Sequence, residues 1–232
     1  MTVKKITQPN GWFNSGIPNA YDFAPWQKAN LTTDIMYPDE TGLIKYKLNS
    51  KGYRDTEWTD ADLNNSIWCV GHSDVFGIGV DADKTWPSLI SGINLGIAGA
   101  AWDTFARTIS SGLAVYKPRC IVIQATTKER KEYVSEKCQQ VVLPSMPAYL
   151  LPHKEIWKYS DDVAEQYAYE KNLAFIIAEC RAHGVELIIF DLDNRWELIK
   201  QDSAVDKQHI GVATHKQIAE FITQQLQQLQ IL

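Results

Sequence analysis

The sequence predicts an α/β fold, a three-layer α/β/α sandwich built on a mainly parallel central sheet. Three observations carry this expectation. From residue 66 onward, short apolar runs alternate with helical patterns, the order that builds βαβ units and covers a sheet on both faces. The runs end in glycine or small polar residues: Gly71, Gly96, Ala125-Thr126-Thr127 and Asp191. A long stretch over 161–183 stops at Gly184, the residue expected after a helix C-terminus.

Each element follows in order. Residues 1–60 lack helical periodicity and are rich in aromatics, among them Trp12, Phe13, Tyr21, Phe23, Trp26, Tyr37, Tyr46, Tyr53 and Trp58. They are expected to form an extension folded against a main domain of residues 61–232, their aromatics packing rather than forming a sugar platform. Residues 43–48 (LIKYKL) alternate like a strand and 49–52 (NSKG) supply a turn. Residues 67–70 (IWCV) are a buried-strand pattern, 86–90 a short helix, and 93–95 a second strand running into Gly96 and Gly99. A helix over 101–113 places Trp102, Phe105 and Ile109 on one face. Residues 120–124 (CIVIQ) form a third strand after Lys117-Pro118. The stretch 126–160 is polar, then proline-rich at 144, 147 and 152, and predicts an irregular excursion. Residues 185–190 (VELIIF) are apolar enough for a central strand. A last helix over 214–229 takes Thr214 as its cap, with Ile218, Phe221, Ile222 and Leu229 apolar.

Composition narrows the class. A chain of 232 residues, 45% hydrophobic and 22% charged, can bury a core that holds a rigid site. A net charge of −5 without any basic stripe argues against nucleic acid and anionic membranes as partners. The first residues hold lysines with no apolar stretch of signal-peptide length behind them, and runs such as 174–178 are too short to span a bilayer. A soluble chain is expected, cytoplasmic, or virion-associated if the source is viral. Cys69, Cys120, Cys138 and Cys180 show no C-x-x-C spacing. Neither a zinc site nor a disulfide framework is expected, and Cys69 and Cys120 read as buried thiols.

In a parallel sheet the ligand lies beyond the carboxyl ends of the strands. Those ends carry Gly71-His72-Ser73-Asp74, Gly96-Ile97-Ala98-Gly99, Ala125-Thr126-Thr127 and Asp191-Leu192-Asp193, and Asp206-Lys207-Gln208-His209 precedes the last helix. Serine, glycine-flanked amides and a histidine three residues after an aspartate are the parts of an acyl-transfer site. His72, Ser73 and Asp74 cannot themselves form a relay, because adjacent side chains diverge. Asp191 and Asp193 read as structural hydrogen-bonding residues. His153 falls in the proline-rich excursion, His183 at a helix end where a cationic residue suits the dipole, and His215 reads as solvated on the first turn of the last helix. The glycines at 71, 77 and 79 do not fit a dinucleotide fingerprint.

Residues 70–80 (VGHSDVFGIGV) resemble the Gly-Asp-Ser block that opens SGNH (GDSL-like) hydrolases. Asn94-Leu95-Gly96-Ile97-Ala98-Gly99 resembles that family's second block, and Asp206-x-x-His209 followed by Gly211 resembles its last. Residues 49–55 (NSKGYRD) also resemble a segment that precedes the first block in some members. The resemblance implies the flavodoxin-like SGNH fold. It also implies a serine esterase needing no metal or organic cofactor. Ser73 would be the nucleophile, His209 the general base and Asp206 its orienting carboxylate, with the Ser73 and Gly99 amides forming the oxyanion hole. The implied substrate is a small-molecule or carbohydrate ester, such as an acetylated sugar.

Two departures stand near the chemistry. His72 replaces the acid of Gly-Asp-Ser, in a supporting position. The third block's oxyanion Asn is missing from residues 123–130 (IQATTKER), where Thr126, Thr127 or Arg130 could replace it. Viral and marine-bacterial types in the family carry a similar Thr…Arg pattern, with an arginine like Arg107 after the second block. The alternative is therefore a catalytically weak or inactive binding or structural module of the same fold. A flavodoxin-like phosphate site on the loop from Gly71 to Gly79 is a third reading.

Overall fold

The structure, a computed structural model, describes residues 32–36, 43–49, 51–131, 133–135, 140–142, 162–192 and 198–232. Its centre is a parallel sheet of β3 (Ile67–Gly71), β4 (Ile93–Gly96), β5 (Cys120–Gln124) and β8 (Glu186–Phe190), in the order β4-β3-β5-β8. Around it lie α1 (Asp60–Leu63), α2 (Ser73–Phe76), α3 (Trp86–Leu89), α4 (Trp102–Leu113), α5 (Asp162–His183) and α6 (Val212–Gln228). An antiparallel pair, β1 (Thr32–Met36) with β2 (Leu43–Lys47), precedes the sheet, and a hairpin of β6 (Tyr133–Ser135) and β7 (Gln140–Val142) follows β5.

Strand alternation divides the core in two. Trp68 and Val70 of β3, Ile121 and Ile123 of β5, and Leu187 and Ile189 of β8 meet α4 and α5 through Trp102, Phe105, Ile109 and Ile176. The intervening residues, Ile67 and Cys69, Cys120 and Val122, Ile188 and Phe190, meet α3 and α6 through Trp86, Ile90, Ile218 and Ile222. This is the three-layer sandwich that the alternation predicts. β3 and β5 are buried along their whole length because both faces are covered. α5 ends as expected: Gly184 takes φ +63° and the Val185 amide donates to the Cys180 carbonyl at 2.9 Å.

Three expectations change. β8 is an edge strand among the described residues, with Glu186 exposed. Its apolar run reflects coverage on two faces, not a central position. α6 is not capped by the Thr214 side chain. Gly211 is its N-cap residue, and Asp202 accepts from the Ala213 and Thr214 amides, each at 2.9 Å. The excursion after β5 contains the β6–β7 hairpin; residues 143–161, with the prolines and His153, lie outside the described residues. Of the aromatics before residue 60, Tyr46, Tyr53 and Trp58 are buried, and those up to Tyr37 lie outside the described residues. No helix among the described residues is long and apolar enough to cross a membrane.

Candidate active site

The sheet order reverses at β3. The chain leaves β3 for β4 on one side and leaves β5 for β8 on the other, so a crevice opens beyond the ends of β3 and β5. Ser73 stands at that place, as the first residue of α2. The helix is a single turn because Gly77 adopts the left-handed conformation, φ +84°, and stops it. Ser73 is buried, 7% exposed.

Three side chains outside the turn hold it. Arg54 is buried and donates to the carbonyls of Phe76, Gly77 and Val80, closing the C-terminal end of α2. Its guanidinium lies 4.4 Å from the centre of the Tyr46 ring. The Tyr46 hydroxyl accepts from the Gly79 amide at 2.7 Å. Asn94 of β4 donates to the Val75 carbonyl at 3.0 Å and accepts from the Gly96 amide at 2.9 Å. A Cβ on Gly96 would stand 2.6 Å from the Val75 carbonyl carbon, so only glycine lets β4 approach α2 this closely. Arg54 belongs to the NSKGYRD segment that the sequence singled out, but its role became visible only through the contact.

The turn leaves few amides for a phosphate. Those of Phe76, Gly77, Ile78 and Val80 donate to carbonyls within residues 72–77, and that of Gly79 to Tyr46. This disfavours the phosphate-loop reading. Among the turn and loop bonds of the described residues, neither the Ser73 nor the Gly99 amide is a donor. Gly99 sits at φ +79° in the turn after β4.

The Asp-x-x-His spacing has a local cause. One oxygen of Asp206 accepts from the amides of Gln208 and His209, both at 3.0 Å, which closes a turn with Lys207 at φ +61°. The other oxygen accepts from His209 Nδ1. Burial alone would raise the Asp206 pKa, but the hydrogen bonds from His209 and Gln208 outweigh it and hold the carboxyl below its usual range. With Nδ1–H committed to Asp206, Nε2 of His209 is the nitrogen left to take a proton. The Ala204 amide donates to the His209 carbonyl at 2.9 Å, and Val205 to Gly79 at 3.2 Å, which ties this turn to the Ser73 segment.

Ser73 Oγ lies 3.5 Å from His72 Nδ1. Among the described residues no hydrogen bond joins it to His209. His72 is half-buried, and loss of solvation lowers its pKa. The Asp74 charge opposes that shift, while the charges of Arg130 and His209 add to it.

Beside this centre lies a cleft of about 600 Å³, lined by His72 and Asp74 after β3, Thr126, Thr127 and Arg130 after β5, and Asp191 after β8. Trp102 Nε1 donates to the Thr126 carbonyl at 3.0 Å and fixes the start of the β5 loop. Arg107 does not join this cleft; it lines a separate pocket between α4 and α5 with Ser110, Lys171 and Phe175. Asp193 lies outside the described residues.

His215 corrects the sequence expectation. It is fully buried, accepts from the Trp86 amide at 3.1 Å through Nδ1, and is lowered to about 4 by loss of solvation. Trp86 Nε1 in turn donates to Gln124 at 3.1 Å, and Gln124 reaches Asp74 at 3.4 Å. Helical periodicity puts residue 215 beside 218 and 222 on the buried face of α6, a signal that was present in the sequence. Among the described residues no group of histidine, cysteine and acidic side chains could hold a metal ion. Cys69, Cys120 and Cys180 are free and buried.

Fold and site together define an α/β/α sandwich with a serine at the end of its central strand and an Asp–His pair beside it. No family model and no curated protein matches the chain. Solved structures do. TesA is similar with a TM-score of 0.44 and 14% identity over 70% of this chain and 98% of that one. The psychrotrophic esterase EstA from Pseudoalteromonas sp. follows at 0.38 and 13%, over 72% and 98%. A member of the lipolytic protein G-D-S-L family from Veillonella parvula matches at 0.34 and 12%, over 68% and 96%. At such identities the likeness concerns strand and helix arrangement and gives no residue its role.

Proposed function

We propose that the chain is a serine hydrolase of the SGNH type, cleaving a short acyl group from a carbohydrate or small-molecule ester through an acyl-enzyme on Ser73. The observation that carries the proposal is the Asp206–His209 pair, built by its own turn and tied to the Ser73 segment through Gly79. The reaction needs His209 Nε2 at Ser73 Oγ, a bond of the kind that commonly tightens only when substrate is bound. Ser73 Oγ then attacks the ester carbonyl as Nε2 takes its proton. The amides of Ser73 and Gly99 stabilise the oxyanion. Collapse expels the alcohol, which receives the proton from His209, and water repeats the sequence on the acyl-enzyme. Without the third-block Asn, the rate is expected to fall by on the order of 10²–10³ against a complete oxyanion hole.

Turnover of 4-nitrophenyl acetate by the wild type and by Ser73→Ala is the test, together with labelling by a fluorophosphonate. The expected result is stoichiometric labelling at Ser73 and loss of turnover in the variant. Equal rates in the two proteins would remove Ser73 as nucleophile. A second reading, a binding module of the same fold, is favoured by the missing Ser73–His209 hydrogen bond. It predicts a protein inert to both reagents.

A further inference from the structure

Arg130 forms no ion pair among the described residues. Its Nη1 is shut off from solvent and meets no hydrogen-bond partner among the described residues, yet the side chain lines the cleft beside Ser73. The cleft's other cations are engaged: Lys128 pairs with Asp162 at 3.4 Å, and Lys200 Nζ donates to the Gln208 carbonyl at 2.9 Å. Burial disfavours the charged form of Arg130 and outweighs the opposing charges of Asp74 and Glu129, and no ion pair joins either to it among the described residues. Asp74 instead receives Gln124 Nε2 at 3.4 Å. A buried donor on a charged group is costly to leave unpaired, and a guanidinium edge matches a carboxylate with two parallel bonds.

We infer that Arg130 anchors a carboxylate borne by the substrate, so that the cleft takes an anionic ester in preference to a neutral one. This rests on the hydrolase proposal for the reaction but not for the binding. The anchor stands on the β5 loop and Ser73 at the end of β3, across the crevice where the sheet order reverses. A substrate held there spans from its carboxylate at Arg130 to its scissile carbonyl at Ser73.

The test separates binding from chemistry. Monomethyl succinate and dimethyl succinate are titrated calorimetrically into the Ser73→Ala protein. The expected result is about tenfold tighter binding of the monoanion. Arg130→Gln loses that preference and Arg130→Lys keeps part of it. Equal binding of the two esters to the Ser73→Ala protein overturns the inference. In the kinetic arm, kcat/KM for 4-nitrophenyl hemisuccinate over 4-nitrophenyl acetate falls about tenfold in Arg130→Gln. Equal losses on both esters would place Arg130 at the reacting carbonyl and overturn the inference. If the wild type hydrolyses neither ester, the hydrolase proposal fails, while the titration still decides the carboxylate site.

Discussion

Asp206 divides its two oxygens between its own turn and His209, so one side chain both shapes the loop and sets the imidazole tautomer. His215 shows the same economy in the core. Its Nδ1 must remain an acceptor for the Trp86 amide, so the ring is held neutral at a site where burial lowers its pKa to about 4. In the unfolded chain it titrates near 6.5. Below that pH the unfolded state binds a proton that the folded state refuses. Stability therefore falls as the pH drops from 6.5 toward about 4, and flattens below it. The contribution is on the order of 3 kcal/mol across the window. His215→Asn keeps an acceptor for Trp86 but takes up no proton. Urea unfolding at about pH 7 and about pH 4.5 is expected to show a stability loss smaller by roughly 2 kcal/mol in the variant. An unchanged loss would mean that His215 is protonated in the folded state.

At the scale of elements, α2 is a helix too short to stand alone, and its position is set by what grips it. Arg54 satisfies carbonyls at its end, Asn94 ties it to β4, and Gly96 lets the two backbones meet. Arg54→Met keeps the volume but leaves the buried carbonyls of Phe76, Gly77 and Val80 without this donor. The expected cost is about 3 kcal/mol, read from the urea midpoint, with loss of fluorophosphonate labelling at Ser73 before the global transition. Coincident loss of labelling and fold would show that the brace serves the whole domain rather than this turn. The first and second sequence blocks are thus one assembly: the first carries Ser73, and the second supplies Asn94 and Gly96 to hold its turn. Their order was legible because each follows an apolar strand pattern. The contribution of Arg54 was not, since nothing in local spacing links residue 54 to residue 77.

Across the whole molecule, the two-sided core accounts for the cysteines. Cys69 and Cys120 face the α3–α6 layer, and Cys180 lies under the α4–α5 layer. Burial raises all three thiols, to about 12 for Cys120 and about 11 for Cys180. They are expected to be inert while the fold is intact. In a Cys138→Ser background, Ellman's reagent at about pH 8 should react with no thiol of the native protein and with all three in denaturant. Reaction in the native state would reveal opening of one layer. The aromatics of the extension follow the same rule. Tyr46 and Tyr53 are fully buried and belong to the core.

Periodicity was enough to set the strand and helix alternation, the parallel sheet, and the placing of Ser73, Gly99 and Asp206-x-x-His209 at strand ends and before the last helix. These depend on interactions within a few residues, where side-chain pattern and turn chemistry decide the outcome. Contacts between distant segments lie beyond that reach. Arg54 under α2, His215 on the Trp86 amide, β8 at the sheet edge and Arg107 in a separate pocket each depend on which elements become neighbours. Only the folded chain could show that Arg130, one of several polar residues in a loop pattern, stands in the cleft with a buried donor unpaired among the described residues. Desolvation is a property of the surroundings, and no run of residues along the chain encodes it.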